Sequence, residues 1–534
     1  MHGDTGGLSH SDVKNLERIY RRKVPPNTLI PDELLLYICR LSHELRKQVA
    51  ILIDRKGRVT HVAAGSDRRI VIPNLGQRRV AEKRLSGLRC IHTHLRGETL
   101  TQDDLNDLLL LRLDAMASVS VSADGTPGKI TLGHIAAGRE DSHTVFDPAP
   151  IAEINDLYMG LIETVERELK SVVGARKVSG EQTALVIHVS NLPKQVMESS
   201  LDELCELARS AGITVAERVI QRKPVPDPKY LMGKGKLEEF MIKALSLGVN
   251  MVIFDSELGA SQIKAIADFT DLEVLDRTQL ILGIFEKRAT SRDGKVRVAL
   301  AQMKYLLPRL GAKESALSRI RGGIGLRGPG ETTAEVQRRH LQGKITAYEK
   351  ELKALKEKRS EKRKSRIRSG IKTISIVGYT NAGKSTLINR LTGSDVLVKD
   401  LLFSTLDPSS RQLYLPNGEL AVISDTVGLI RNMPETLRGV FRATMEELEE
   451  SCLLINVVDI SSDAYEDHLR VSEQILQDYG LHNLPRLTVF NKTELLPAET
   501  AENICRRHSA VGISAANGAG INVLLEAITQ KLRG

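Results

Sequence analysis

Gly378-Tyr379-Thr380-Asn381-Ala382-Gly383-Lys384-Ser385 is a glycine-rich turn that ends in a lysine and a serine. It follows the apolar run 372–377 and precedes a helical pattern over 386–391, so the glycine-rich turn joins a strand to a helix. Glycines let successive backbone N–H groups curl around an anion, and the helix N-terminus adds its positive end. At this spacing Lys384 reaches the β- and γ-phosphates of a nucleotide, and the Ser385 hydroxyl ligates Mg²⁺, with Thr386 beginning the helix. Such a unit implies an α/β domain: a mostly parallel sheet with flanking helices.

Downstream, further strand ends carry matching chemistry. The loop 402–411 contains Phe403-Ser404-Thr405-Leu406, and Thr405 can supply a second Mg²⁺ ligand when that loop orders around the γ-phosphate. Asp425-Thr426-Val427-Gly428 follows the strand pattern 420–424, placing a carboxylate near the metal shell and a glycine N–H near the γ-phosphate. Asn491-Lys492-Thr493-Glu494 ends the strand 486–490, where an amide can read a base and a lysine stem can pack on it. Gly512-Ile513-Ser514-Ala515 ends the strand 511–513, where a backbone N–H can meet the exocyclic oxygen of the base. The residues expected to act in catalysis are Lys384, Thr405, Asp425 and Gly428. Leu429 follows Gly428, where GTPases resembling Ras often place a water-orienting glutamine. An aliphatic side chain cannot orient water, so slow intrinsic hydrolysis and reliance on a partner are expected.

The remaining composition sets bounds. A chain of 534 residues suggests three or four domains. Tryptophan is absent and aromatics make up 3%, which supplies few stacking platforms for single-stranded nucleic acid. A net charge of +9 favours a polyanionic partner or a solvated basic surface. The five cysteines are scattered and form no C-x-x-C pair, which suits a reducing compartment. With no signal-peptide pattern and no apolar run of membrane length, a cytosolic protein is expected.

Four regions emerge. Residues 1–175 read as an α/β unit with a hairpin (49–53 and 59–64), a helix at 77–85, a strand at 88–91 before His92-Thr93-His94, a helix at 103–113 and a strand at 117–122. Residues 181–290 alternate strand and helix, predicting a small parallel-sheet domain. In 291–368, Val296, Leu300, Met303, Leu307 and Leu310 form one heptad-like stripe, and Leu341, Ile345, Tyr348, Leu352 and Leu355 a second. The two predict an antiparallel helical hairpin. Its connection, Arg321-Gly322-Gly323-Ile324-Gly325-Leu326-Arg327-Gly328-Pro329-Gly330, is glycine-rich and, with Lys313 and Arg319, positively charged. Residues 371–534 form the nucleotide domain.

The order of these motifs, together with Gly233-Lys234-Gly235-Lys236-Leu237-Glu238-Glu239 and the glycine-rich run extended by Glu331-Thr332, resembles the bacterial HflX GTPases over about residues 181–534. The resemblance implies GTP as substrate with Mg²⁺, and binding to the large (50S) ribosomal subunit and its rRNA, with the hairpin tip near the peptidyl-transferase centre. It implies nucleotide-driven splitting of stalled or stress-arrested ribosomes by a cytoplasmic, ribosome-associated monomer, with no DNA partner and with peripheral membrane association left open. Asn381 sits where some potassium-activated GTPases carry a cation-coordinating asparagine; K⁺ binding and simple bracing of the loop are the two readings. Glu494 departs from the aspartate usual in the family. The added methylene displaces the carboxylate from the guanine edge, which leaves ATP-dependent RNA remodelling as the alternative function.

Within 1–175, His92, His94, Thr101 and Asp104 resemble the H-x-H…[ST]-x-x-D signature of JAB/MPN metalloproteases and RadC-like domains. The resemblance implies Zn²⁺ held by His92, His94 and Asp104, with Glu44 as general base. Leu95 stands where that pattern has proline, and the spacing to Thr101 is one residue short. A metallopeptidase and a metal-free scaffold both remain open.

Overall fold

The computed structural model describes residues 2–3, 6–70, 72, 85–136, 143–158, 160–169, 182–267, 270, 272–310, 333–368, 371–393, 402–403, 410–431, 433–449 and 451–533. The chain divides into two compact units. One comprises Met1–Leu185, Lys223–Val252 and Lys264–Val274; the other comprises Val186–Arg222, Ile253–Ile263 and Leu275–Gly534.

In the first unit a seven-stranded sheet runs in the order His2–Gly3, Val59–Ala64, Val49–Asp54, Leu88–His94, Ala115–Val121, Pro127–Ile135, His143–Val145. The expected hairpin is present: Val49–Asp54 pairs antiparallel with Val59–Ala64. Gly57 closes its turn at φ +77°, where a Cβ would lie 1.7 Å from the Val24 carbonyl oxygen. Each face of the sheet is covered, so its strands alternate between two apolar cores. Ile91 joins the core that includes Leu35 and Ile38 of the helix Asp32–Leu45. Leu88 and Cys90 join the core that includes Leu105 and Leu108 of the helix Gln102–Leu110. The strand Leu88–His94 continues through His92-Thr93-His94 instead of stopping at residue 91, because its parallel partner Ala115–Val121 extends the ladder to His94↔Ser120. The helix expected at 77–85 lies, apart from Leu85, outside the described residues.

A four-stranded sheet follows in the order Glu273–Asp276, Met251–Phe254, Gln182–Ser190, Ile213–Arg222, with the helices Lys194–Ala211, Lys234–Leu247 and Ala260–Ala267 alternating with its strands along the chain. Beyond it, the helices Arg292–Leu306 and Thr333–Arg368 pack together and are tied by ion pairs from Arg292 to Glu351 and from Lys304 to Glu349, each 2.7 Å. The first helix ends at Leu306, short of the expected stripe, and a 3₁₀ turn Leu307–Arg309 takes over at Pro308, which has no N–H to continue the ladder. Val296 is buried, but Val298, Ala301 and Tyr305 complete the inward face in place of Leu300, Met303 and Leu307. Tyr305 is drawn in because its hydroxyl donates to Asp276 Oδ2 at 2.6 Å. The glycine-rich connection lies outside the described residues.

The nucleotide domain holds a six-stranded sheet in the order Ser410–Tyr414, Leu420–Asp425, Lys372–Gly378, Leu453–Asp459, Arg486–Asn491, Val511–Gly512. Ser410–Tyr414 is antiparallel to its neighbour and the other pairings are parallel. The chain leaves Lys372–Gly378 toward one edge and returns to its other side, so this strand ends at the point where α/β sheets place their ligands.

Candidate nucleotide site

Gly378 leaves the central strand at φ +151°, with the Val457 carbonyl oxygen only 2.1 Å from where a Cβ would sit. Gly383, at φ +87°, caps the helix Lys384–Thr392, and its missing Cβ makes room for the Asn491 amide at 2.2 Å. Between these glycines the loop is fastened to the segment after Asp425. The Leu429 N–H donates to Gly378 O (3.0 Å) and the Thr380 N–H donates to Leu429 O (2.9 Å). Gly428 packs so close that a Cβ would lie 2.6 Å from Thr380 Cγ2 and 3.2 Å from Lys384 Nζ.

The charged groups converge at the helix N-terminus. Lys384 is buried and its ammonium donates to Gly378 O (3.1 Å) and Tyr379 O (2.9 Å). Burial pushes its pKa down to about 8, against the pull of Asp425. Ser385 Oγ donates to Asp425 Oδ2 at 2.9 Å, and the Thr426 N–H donates to the other oxygen of the same carboxylate. A hydroxyl beside a carboxylate is the hard-oxygen donor set that suits Mg²⁺. The buried Thr380 hydroxyl has no hydrogen-bond partner among the described residues. Thr426 is turned inward to Ile376 O, Val427 is buried, and Thr386 lies in the first turn of the helix. The Leu429 side chain is fully buried. Asn381 is exposed at φ +63°, and its side chain makes no hydrogen bond to another described residue. Phe403 packs in an aromatic cluster with Phe285 and Phe441, whereas Ser404, Thr405 and Leu406 lie outside the described residues.

At the base end, Asn491 bridges loops through both ends of its amide. Nδ2 donates to Ala382 O (2.9 Å), and Oδ1 accepts from the Ala515 N–H (2.9 Å). The Ser514 N–H also donates to Ala519 O. Thr493 binds Ile513 O through its N–H and hydroxyl, locking these two motifs together beside Gly512. Glu494 is exposed on the turn Thr493–Leu495. Two participants escape motif reading. Asp459 ends the strand beside Asn491 and pairs with Lys492 at 2.6 Å, fixing the lysine stem; the signal was an apolar run ending in a carboxylate. Arg390 holds the Ala515 and Ala516 carbonyls, and nothing in its helix pattern announces this.

A second cluster lies in the first unit. His92, His94 and Asp104 are buried and their ligand atoms all fall within 4.8 Å. His94 Nδ1 donates to the Glu98 carbonyl (3.0 Å), which leaves Nε2 as the acceptor nitrogen, 2.9 Å from His92 Nε2. Burial opposes ionisation of Asp104, but His92 and Thr101 outweigh it and hold the carboxyl below its usual range. Burial, reinforced by His92, lowers His94. Glu44 is not part of this cluster. It is exposed on the helix Asp32–Leu45, whose Ser42 meets Thr93, the residue between the histidines that points to the opposite face. The strand facing His92 presents Ala50.

Comparison with known proteins agrees with this layout. Residues 198–286 match a family model described as GTP-binding GTPase N-terminal, 288–366 one described as GTP-binding GTPase Middle Region, and 373–492 one described as 50S ribosome-binding GTPase. The chain is 43% identical over 352 residues to the GTPase HflX of Caldanaerobacter subterraneus subsp. tengcongensis, covering 66% of this chain and 81% of that one. It is 38% identical over 360 residues to the GTPase HflX of Escherichia coli, covering 67% and 84%. A GTP-binding protein from Sulfolobus solfataricus, solved in complex with GDP, is similar at 24% identity and a TM-score of 0.38, over 66% of this chain and 99% of that one. Among the described residues, no helix is long and apolar enough to cross a membrane. With four fifths of such relatives spanned at about 40% identity, the chain belongs to the HflX family of GTPases.

Proposed function

We propose that this GTPase binds the large ribosomal subunit and uses GTP binding and hydrolysis to split stalled or stress-arrested ribosomes in the cytoplasm. The observation that carries the reading is the match of residues 373–492 to a family of 50S ribosome-binding GTPases. In this reading the regions 1–175, 181–290, 291–368 and 371–534 act as separate domains of one monomer. Gly378–Thr386 cradles the phosphates, Ser385 and Thr405 hold Mg²⁺, and Asp425 orients Ser385 (2.9 Å). When bound, Mg²⁺ neutralises charge developing on the phosphate oxygens. Asn381, exposed and uncommitted to any described hydrogen bond, is available to K⁺. Coupled ribosomes sedimented with the protein and GTP should release free subunits, and the non-hydrolysable analogue should trap the protein on the large one. An unchanged ribosome peak at saturating protein would remove the splitting role.

A second reading concerns residues 1–175, and the convergence of three buried ligands favours it. His92, His94 and Asp104 bind one zinc ion, and Glu44, exposed on the helix beyond the opposite face of the sheet, is not its general base. Metal analysis after zinc supplementation should give about one equivalent, as for a single three-ligand site, and His92→Gln or Asp104→Asn should lose it. Equal metal in wild type and variants, or none in either, leaves a scaffold.

A further inference from the structure

The second residue of the phosphate loop has a role that the nucleotide motifs do not account for. Tyr379 is buried, and its ring stacks on His468 with centroids 4.0 Å apart and planes 14° from parallel. Its hydroxyl donates to Glu203 Oε2 at 2.7 Å and accepts the Arg431 N–H at 3.0 Å. One oxygen atom thus joins three parts of the chain: the phosphate loop, the segment that follows Gly428, and the helix Lys194–Ala211 of the N-terminal GTPase region.

Glu203 is itself held from behind. Arg277 donates to Glu203 Oε1 (2.7 Å) and to Asp255 Oδ1 (2.7 Å), and Asp255 also takes His188 Nδ1 (2.6 Å) and the Ser200 hydroxyl (2.6 Å). These groups are buried, so the carboxylate facing Tyr379 is fixed by side chains of the N-terminal region, of which Arg277 also reaches the Arg431 carbonyl (3.5 Å). Arg431 adds a tie from the other side, reaching Ser199 (3.2 Å) and Asp467 (2.9 Å). Neighbouring backbone atoms tie into the rest of the loop: Tyr379 O receives the Lys384 ammonium, and the next N–H, that of Thr380, is bonded to Leu429 O.

We propose that Glu203 is a positioning residue for GTP: through the Tyr379 hydroxyl it sets the phosphate loop from the N-terminal region, so that nucleotide affinity depends on how that region is docked. Segments after Gly428 rearrange with the γ-phosphate in GTPases. The Arg431 and Leu429 bonds to the loop must then exchange, while the Glu203 bond and the His468 stack keep the loop in place. The inference rests on the reading of this loop as the GTP site.

The test is a double-mutant cycle on the full chain, read as KM against kcat. Tyr379→Phe removes only the hydroxyl and keeps the ring stack. Its KM for GTP should rise about fivefold to tenfold, the effect expected for one buried hydrogen bond to a carboxylate, with kcat changed less. Glu203→Ala should give a similar rise. The two together should give no more than either alone, because they break the same contact. Glu203→Gln, which keeps an acceptor for the hydroxyl, should restore most of the affinity. An unchanged KM in Tyr379→Phe, or losses that multiply in the double variant, would overturn the proposal. Either result, with wild-type GTP hydrolysis intact, would leave the GTP site standing; a wild type that neither binds nor hydrolyses GTP would sink both.

Discussion

GTP turnover falls by roughly 10²–10³-fold in Lys384→Ala, the cost of losing one preorganised charge contact at a phosphoryl-transfer site. Lys384 is buried at the head of its helix, with a pKa pushed down to about 8 by burial, and its ammonium lies against the Gly378 and Tyr379 carbonyls of the loop. Alanine removes one donor each from Gly378 O and Tyr379 O, but these keep the Leu429 and Ala382 N–H groups, so the loss of stability should be small beside the loss of turnover. Asp425→Ala acts through different atoms, freeing the Ser385 hydroxyl and the Thr426 N–H, and should match it in turnover. Single-turnover hydrolysis of labelled GTP, run beside thermal unfolding, separates the chemical loss from the structural one. The fold of residues 1–175 should be untouched in both variants. Hydrolysis at the wild-type rate in both would mean that phosphate transfer occurs elsewhere.

Much of this molecule was legible because its chemistry sits at strand ends. Glycines at 378 and 383 are demanded by backbone approach, with Val457 O and the Asn491 amide occupying the space of a side chain. A motif with that requirement can be read without a structure. The same holds for His92, His94 and Asp104, where a strand alternation and a helix cap bring distant residues to one face. Other features were hidden because they depend on who faces whom. Leu300, Met303 and Leu307 make a good stripe, yet Tyr305 takes the inward face by reaching Asp276. Glu44 lies on the helix whose Ser42 meets Thr93, on the face of the sheet away from the histidines, which no linear pattern reveals. Glu203 carries no motif, since its partner Tyr379 lies 176 positions away. The two motifs expected to read the base are also held to each other, Asn491 accepting the Ala515 N–H, a contact that no motif announces.

Replacing Arg321 and Arg327 together by alanine should weaken binding to the large ribosomal subunit about a hundredfold, if each makes a charged hydrogen bond to phosphate of roughly 1.5 kcal/mol. The two arginines lie outside the described residues, and the expectation comes from their sequence setting among Gly322, Gly323, Gly325, Gly328 and Gly330. Small residues allow close approach to RNA, and the cations offset phosphate repulsion. The salt dependence of binding should shallow by about one unit of slope per arginine removed. Intrinsic GTP turnover should stay at the wild-type value, since neither residue belongs to the phosphate loop. If instead thermal stability and intrinsic hydrolysis fall together while affinity holds, the glycine-rich run is an internal hinge and not a contact with RNA.

Because the buried Leu429 side chain cannot orient water, this GTPase is expected to need the ribosome for fast hydrolysis. Steady-state GTP turnover with and without purified large subunits tests it most directly. The account predicts slow hydrolysis by the protein alone and a rate that rises with subunit concentration to saturation; the same rate at every subunit concentration would contradict it.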